Sequence, residues 1–358
     1  MTERIERLRE KLKDKGLAAV LVMQPENRRY LSGFTGTAGA LLIDQQKCHF
    51  LVDFRYLEQA GEECPGWQIY EVKESIFASL AELLPQLGIS SLACEGDYLT
   101  CKQFNDLRDK LVQVETIVPL YGLVEEIRKI KDPAEIENLR RAAELADHAF
   151  WYILDFIRPG VQERDVALAL EFFLRKKGAR KVSFDFIVAS GTRGAMPHGV
   201  ASEKTLQAGE LVTIDYGCEY QGYYSDITRT VSLGPPDRKQ AEIYGVVLEA
   251  QATGLRALKA GVKASEVDQA VRDVTARYGY QENYRHSTGH GVGLAVHEAP
   301  RLAKQDETVL EAGMVVTIEP GIYLPGWGGV RIEDMAVVEE HGCRLLTHAP
   351  KEELIVCG

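Results

Sequence analysis

Cysteine pairs, blocks of positive charge and long apolar runs are all scarce in this sequence, and each scarcity removes a class of protein. The seven cysteines (Cys48, Cys64, Cys94, Cys101, Cys218, Cys343 and Cys357) are odd in number and scattered, with no C-x-x-C spacing. That argues against a disulfide framework, a thiolate metal site or a catalytic thiol, and reads as reduced thiols in a cytoplasm. The net charge is −11, and the basic run RKIKDP is short and passes at once into acid. A nucleic-acid partner is therefore not expected. No stretch approaches the roughly 18 apolar residues of a membrane span, so no membrane partner is expected either. The opening MTERIERLREKLKDKG is too charged for the apolar segment of a signal peptide. It reads as an amphipathic helix with Ile5, Leu8 and Leu12 inward.

A chain of 358 residues exceeds one ordinary core and predicts two domains, or one large one with an appendage. Up to about residue 125, short apolar runs alternate with helical patterns. LAAVLVM, GALLID (39–44) and HFLVD (49–53) read as strands, with SLACEG and VETIVPL as later ones. SIFASLAELLPQL (75–87) and the stretch from Lys102 to Leu111 read as helices. This is an α/β domain with its own core. Then Asp132 caps a helix that Pro133 opens, and apolar residues recur at helical spacing from Ile136 through Leu139, Ala142, Ala143 and Ala146 to Phe150. The boundary is placed just before Asp132, giving domains 1–131 and 132–358. In the second, a helix-rich stretch (132–178) precedes strands, and helices at about 237–260 and 264–278 separate two similar segments. No low-complexity segment or Gly/Ser linker intervenes.

Those two segments carry the chemistry. Residues 206–217 read LQAGELVTIDYG and residues 310–321 read LEAGMVVTIEPG, identical at seven of twelve positions, with Asp215 falling on Glu319. Each is followed by more acid: Asp226 in SDITRT and Glu333 in VRIED. Both VTI runs read as strands buried on their apolar face, each delivering an acid at its end. Matched halves supplying two carboxylates apiece predict a pseudo-symmetric cleft where four acids converge. Four buried carboxylates without compensation repel strongly, so a cation belongs between them, most simply a pair of metal ions. A duplicated half-fold with acids at solvated strand ends would account for Asp215 and Glu319, but not for the downstream acids or for the histidines.

Of eight histidines, His286, His290 and His297 crowd into RHSTGHGVGLAVHE, and His198 sits in GAMPHGV. His49, His148, His341 and His348 read as surface or satisfied core residues. Glycines at 289, 291 and 293 leave room for close approach of a ligand or another strand. One imidazole with four carboxylates is an oxygen-rich set suited to Mn²⁺, Fe²⁺, Co²⁺ or Zn²⁺ in a two-metal arrangement. Two ions ~3.5–4 Å apart share a water and lower its pKa toward about 7, giving a hydroxide that attacks a carbonyl. The remaining histidines then serve the oxyanion and the leaving nitrogen.

These residues resemble the pita-bread metallopeptidases: methionine aminopeptidase, aminopeptidase P and prolidase, with the related creatinase. The family's ligand order Asp, Asp, His, Glu, Glu is matched by Asp215 in TIDYG, Asp226 in SDITRT, His290 in STGHGVG, Glu319 in TIEPG and Glu333 in RIED. YLSGFTG (30–36) and VDFRYLEQA (52–60) resemble pieces of the creatinase/prolidase amino-terminal domain, which methionine aminopeptidases usually lack. The resemblance implies that Asp215 chelates one metal, that His290 and Glu319 bind the other, and that Asp226 and Glu333 bridge. It makes His198 and His297 substrate-side histidines and gives His286 a part in proton transfer. Glu319 or Glu333 is the alternative base. Arg331 is similar to an active-site arginine of the proline-specific branch, or else is a charge partner of a ligand carboxylate.

The implied fold is an α/β amino-terminal domain followed by an α+β pita-bread domain with an internal pseudo-two-fold repeat. The implied activity is hydrolysis of the bond between an amino-terminal residue and proline in di- or oligopeptides, with two divalent ions (manganese first; cobalt, zinc or iron otherwise) in a cytoplasmic homodimer. The bond to proline nitrogen is a tertiary amide without N–H, and metal-assisted attack needs only its carbonyl. A metal-free creatinase-like amidinohydrolase and a non-catalytic peptide-binding module are the alternatives. The first lacks most of the five ligands, and the second has no use for four mutually repulsive acids.

Overall fold

A computed structural model describes residues 2–358 of the chain. It divides into two compact units, one reaching to Arg128 and one running from Lys129 to Gly358.

The first unit contains strands β1 (Ala19–Val22), β2 (Ala40–Asp44), β3 (Cys48–Val52), β4 (Gln68–Glu71), β5 (Ser91–Glu95) and β6 (Thr116–Leu120) in one mixed sheet of order β4-β3-β2-β1-β5-β6. Helices α1 (Thr2–Asp14), α2 (Pro25–Ser32), α3 (Leu57–Glu63), α4 (Ile76–Gln86), α5 (Cys101–Lys110) and α6 (Glu125–Arg128) complete it. Ile5, Leu8 and Leu12 of α1 are buried as its amphipathic pattern requires. Ser75 caps α4, and Thr100 with Gln103 forms a capping box that starts α5 one residue earlier than the apolar pattern suggests. The pattern of the sequence does not announce α2, α3 or β4. The QIYE of β4 is only half-buried, and α2 (PENRRYLS) buries Asn27 and Arg28 where an amphipathic helix would place apolar residues.

The second unit is α+β and is built twice. Its first half has α7 (Pro133–Leu154), α8 (Glu163–Lys176) and strands β7 (Lys181–Val182), β8 (Ile187–Ser190), β9 (Leu211–Tyr216), β10 (Cys218–Tyr220), β11 (Tyr223–Tyr224) and β12 (Ile227–Leu233). The second half has α9 (Arg238–Ala257), α10 (Ala264–Arg277) and strands β13 (Gly289–Gly291), β14 (Glu298–Leu302), β15 (Val315–Ile318), β16 (Gly321–Leu324), β17 (Gly328–Arg331), β18 (Asp334–Glu339) and β19 (Gly342–Leu345). A last strand, β20 (Val356–Cys357), returns to pair with β12, giving sheets of order β20-β12-β9-β8 and β14-β13-β15-β18-β19. Asp132 caps α7 through the backbone N–H groups of Ala134 and Glu135, with Pro133 in the first turn.

The helix pairs cover corresponding faces. Phe150, Val166 and Leu170 of α7 and α8 pack with Val212, Ile214 and Val231 of β9 and β12. Val267 of α10 packs with Val316, Ile318, Ala336 and Val338 of β15 and β18. One expectation needs correction. The VTI strands are buried on both faces, not on the apolar face alone: every residue of β9 and of β15 is buried. The helices cover Val212, Ile214, Val316 and Ile318, while Thr213 and Thr317 face an inner polar layer. There Thr213 Oγ1 lies 3.2 Å from Thr230 Oγ1, and the backbone N–H of His290 donates to Thr317 Oγ1 at 3.1 Å. That inner layer is where the acids sit. A basic run denser than RKIKDP, RKKGARK at 175–181, closes α8. It is partly neutralised by Glu171, 2.7 Å from Arg175, and by Glu219, 3.7 Å from both Arg180 and Lys181. No helix among the described residues is long and apolar enough to cross a membrane.

Candidate metal centre

The two halves meet at a cleft of about 830 Å³ in the second unit. Asp215 reaches it from β9 and Asp226 from just before β12, which pairs antiparallel with β9 so that Asp215 faces Thr228. Glu319 follows β15 and Glu333 precedes β18, its antiparallel partner. The four acids therefore come from equivalent places in the two halves, and His290 comes from β13 beside β15. Candidate donor atoms of Asp215, Asp226 and Glu333 lie within 4.8 Å of one another, as do those of His290, Glu319 and Glu333, and those of Asp226, His290 and His297. Asp226, His290 and Glu333 each belong to two of these groups. His290 Nε2 is 3.3 Å from Glu319 Oε1 and 3.6 Å from Asp226 Oδ2.

The electrostatics of this cluster are those of a cation site. Burial, then the charges of Glu333, Asp215 and Glu319, push the Asp226 carboxyl well above the usual carboxylate range. Burial followed by Glu319 and Asp215 does the same to Glu333. Glu319 is raised to about 8, burial and Asp215 outweighing the opposing Arg331 charge. Asp215 Oδ1 and Glu333 Oε1 are buried with no hydrogen-bond partner, an arrangement costly unless something else fills their lone pairs. His290 adds to the case. Its Nδ1–H donates to Gly291 O at 3.1 Å, so Nε2 carries a lone pair aimed at carboxylates. Burial and the nearby His297 lower its pKa to about 4, which keeps the ring neutral. Lone pairs converging from five side chains fit divalent ions held by oxygen and imidazole.

Around this core the structure places every other sequence-predicted residue on the same cleft. His198 and His297 stand exposed on its wall, and the His297 ring lies edge-on to His290 with centroids 4.3 Å apart. His286 donates from Nδ1 to Ser287 O at 2.8 Å and presents Nε2 to the Tyr323 hydroxyl at 3.0 Å. Arg331 is buried. It donates to Asp215 Oδ2 at 2.6 Å, Tyr323 OH at 2.8 Å and Pro197 O at 3.2 Å. His49 is a buried core residue paired with Asp44 at 2.9 Å. His148, His341 and His348 are exposed.

Three residues of the site escape sequence reasoning. Tyr323 links Arg331 to His286. Thr228 donates to Glu333 Oε2 at 2.7 Å and accepts from Arg331 Nε at 3.1 Å. Arg301 lines the cleft from β14, directly across from His290 of β13, and its guanidinium has no ion-pair or hydrogen-bond partner among the described residues. Only Arg301 leaves a signal, a cation four residues past His297 in an acidic chain. The glycines of the histidine segment serve strand approach: a Cβ on Gly289 would lie 1.9 Å from Thr317 O, and one on Gly291 2.3 Å from Ala299 O.

Comparison with known proteins agrees with this geometry. Residues 137–340 match the model of metallopeptidase family M24, and residues 4–130 match that of the creatinase/prolidase N-terminal domain. The chain is 40% identical over 355 residues to a Xaa-Pro dipeptidase of Pyrococcus furiosus, covering 99% of this chain and 100% of the relative. Its fold superposes on a Xaa-Pro dipeptidase from Bacillus anthracis with a TM-score of 0.96 at 48% identity, covering 99% of both chains. An X-Pro aminopeptidase from Thermotoga maritima gives a TM-score of 0.91 at 37% identity, again over 99% of both. With five metal-type donors converging in a cleft between two related halves, and with matches along nearly its whole length, the chain belongs to metallopeptidase family M24 and carries a creatinase/prolidase N-terminal domain.

Proposed function

We propose that this chain is a two-metal Xaa-Pro peptidase of the prolidase type, releasing the amino-terminal residue of a dipeptide that ends in proline. The observation that carries the metal chemistry is the set of buried carboxylates with orphaned oxygens, faced by the His290 Nε2 lone pair. Asp215 would hold one ion, and His290 and Glu319 the other. Asp226 and Glu333, the two carboxylates that belong to two donor groups, would be shared by both. Manganese is the first candidate, and the same donors accept cobalt, zinc or iron. Bound divalent ions supply Lewis acidity and a water acidic enough to ionise near neutral pH.

The protein's own groups do the rest. His198 and His297, exposed on the wall, hold the scissile carbonyl and stabilise charge on its oxygen. Tyr323, held by Arg331 Nη1, donates its hydroxyl hydrogen to His286 Nε2 and fixes that ring beside the cleft, and Glu319, Glu333 or His286 would take a proton from the attacking water and deliver it to the leaving proline nitrogen. Arg331 also fixes the Asp215 carboxylate through Oδ2 and leaves Oδ1 without a hydrogen-bond partner, the atom that would hold an ion.

The dipeptide preference rests on Arg301. An unpartnered guanidinium on the cleft wall suits a free carboxylate, which in a dipeptide belongs to the proline itself. The Xaa-Pro dipeptidase relatives support the same reading. Seven free thiols suit a reducing compartment, and family resemblance favours a homodimer, which a single monomeric species in light scattering would refute.

The deciding experiment is hydrolysis of Ala-Pro, Ala-Pro-amide and Ala-Pro-Ala by chelator-stripped protein with and without added Mn²⁺, Co²⁺ or Zn²⁺. Alanine release should require metal and be fastest with Ala-Pro. Arg301→Met should remove that advantage, raising KM for Ala-Pro at least tenfold and leaving the amide unchanged, since one charge-assisted contact is worth about 1.5–3 kcal/mol. Equal rates on all three substrates would reassign the chain to the aminopeptidase type. No cleavage with any metal would remove the peptidase reading.

A further inference from the structure

His198 rides on a segment with little apolar anchoring, between Ser190 at the end of β8 and Ser202. Met196 and Val200 within it are exposed. Its two ends meet at one fully buried side chain, Glu163, the first residue of α8. Glu163 Oε1 accepts from the backbone N–H and the hydroxyl of Ser190, both at 2.8 Å. Oε2 accepts from the Ser202 backbone N–H at 3.2 Å and its hydroxyl at 2.6 Å, and also pairs with Arg193 Nη1. Arg193 lies inside the loop and donates from Nη2 to Val200 O at 2.8 Å. Near the apex, a Cβ on Gly194 would lie only 2.9 Å from Gly329 N of β17. Arg331 Nη1 holds Pro197 O, the carbonyl immediately before His198.

We infer that Glu163 is a positioning residue for His198: one buried carboxylate ties both ends of the loop and its internal arginine, so that the imidazole at its apex is held over the cleft. The inference rests on the substrate role proposed above for His198. A carboxylate is the group for this task, because it accepts on both oxygens from donors on both sides. Glutamine keeps the volume but turns one of those acceptors into a donor facing Ser202 and Arg193, or Ser190. Beyond Ala201, which packs against the core and donates from its backbone N–H to Phe186 O at 3.1 Å, the loop carries no apolar side chain that could anchor it, and a misplacement of about 1 Å at a reacting centre costs on the order of 10²-fold in rate. Glu163 touches neither substrate nor any of the five metal-type donors, so its loss should leave metal binding alone.

A double-mutant cycle on the metal-loaded enzyme tests this, reading kcat and KM for Ala-Pro together with metal content and melting temperature. His198→Ala should lower kcat/KM about 10²-fold. Glu163→Gln should lower it at least tenfold in the wild-type background and less than twofold in the His198→Ala background, with full metal content in both. Ser202→Ala, which removes one of the ties, should show the same non-additivity at smaller amplitude, and it stands in if Glu163→Gln does not fold. Equal losses from Glu163→Gln or Ser202→Ala in the two backgrounds, or a loss of metal, would overturn the inference while leaving the reading of His198 intact. A silent His198→Ala would overturn that reading, and the inference with it.

Discussion

His290 keeps one ring nitrogen for the acids because the other is already engaged with Gly291 O, and burial keeps the ring neutral. At this scale each donor can be tested alone. Glu333 belongs to two donor groups and has one oxygen with no partner. Glu333→Ala should therefore abolish activity and lower bound metal, measured by elemental analysis after gel filtration. His297 also lies within donor distance of Asp226 and His290, yet it is exposed while they are not. His297→Ala should cost about 10²-fold in kcat with the bound metal retained. If it lost a metal instead, His297 would be a ligand and its place on the substrate side would be wrong. The five candidate donors are legible in the sequence because each sits in its own short motif. Tyr323 and Thr228 were not. What they do depends on which side chains the fold places opposite them, Arg331 and His286 for one and Glu333 for the other, and no local spacing encodes that.

Among elements, the repeated strands were the easiest to read and their surroundings the hardest. A VTI run names a strand, but whether its threonine faces water or a second layer depends on what packs there. Here the inner layer is the metal centre itself, so Thr213 and Thr317 are buried polar residues with partners. The polar α2 stayed hidden for a related reason: its buried Asn27 is held by Glu95, Glu125 and Arg128 from distant positions. Strand spacing also yields a prediction. Gly289 opens β13 against β15, where an added Cβ would come 1.9 Å from Thr317 O, far inside van der Waals contact. Gly289→Ala must push the strands apart and carry His290 away from Glu319. The expected result is reduced metal occupancy along with a lower melting temperature. Gly245, within α9, has open space around its Cβ position. Gly245→Ala should keep full metal and gain up to about 1 kcal/mol from helix propensity. Equal metal content in the two variants would mean that β13 tolerates displacement and that close strand approach does not set His290.

For the molecule as a whole, the metal centre makes stability depend on pH in a direction set by its own carboxyls. Asp226, Glu319 and Glu333 have raised pKa values in the folded, metal-free protein, through burial first and neighbouring carboxylates next, with Glu319 at about 8. A group with a raised folded pKa binds more protons folded than unfolded. Its stabilising contribution is complete below the unfolded value, near 4.5 for a glutamate, and is lost as pH rises through the folded value. His286 and His290 act with the opposite sign. Burial lowers both to about 4 from 6.5, so they favour the folded state above about 6.5 and lose that contribution as pH falls. The two effects oppose each other below about pH 6.5, and above it the carboxyls act alone. Chelator-stripped protein should therefore melt at a lower temperature at about pH 8 than at about pH 6.5. Divalent ions compete with protons for the same oxygens and bind the folded state, so the gap in melting temperature between loaded and stripped protein should widen over that interval. Scanning calorimetry at the two pH values, with and without metal, measures both. A stripped protein equally stable at the two pH values would mean that the carboxyls ionise without cost, through water entering the cleft. The buried oxygens left without a protein partner, Asp215 Oδ1 and Glu333 Oε1, would then be hydrated in the metal-free state, and the electrostatic reason for a cation would weaken with them.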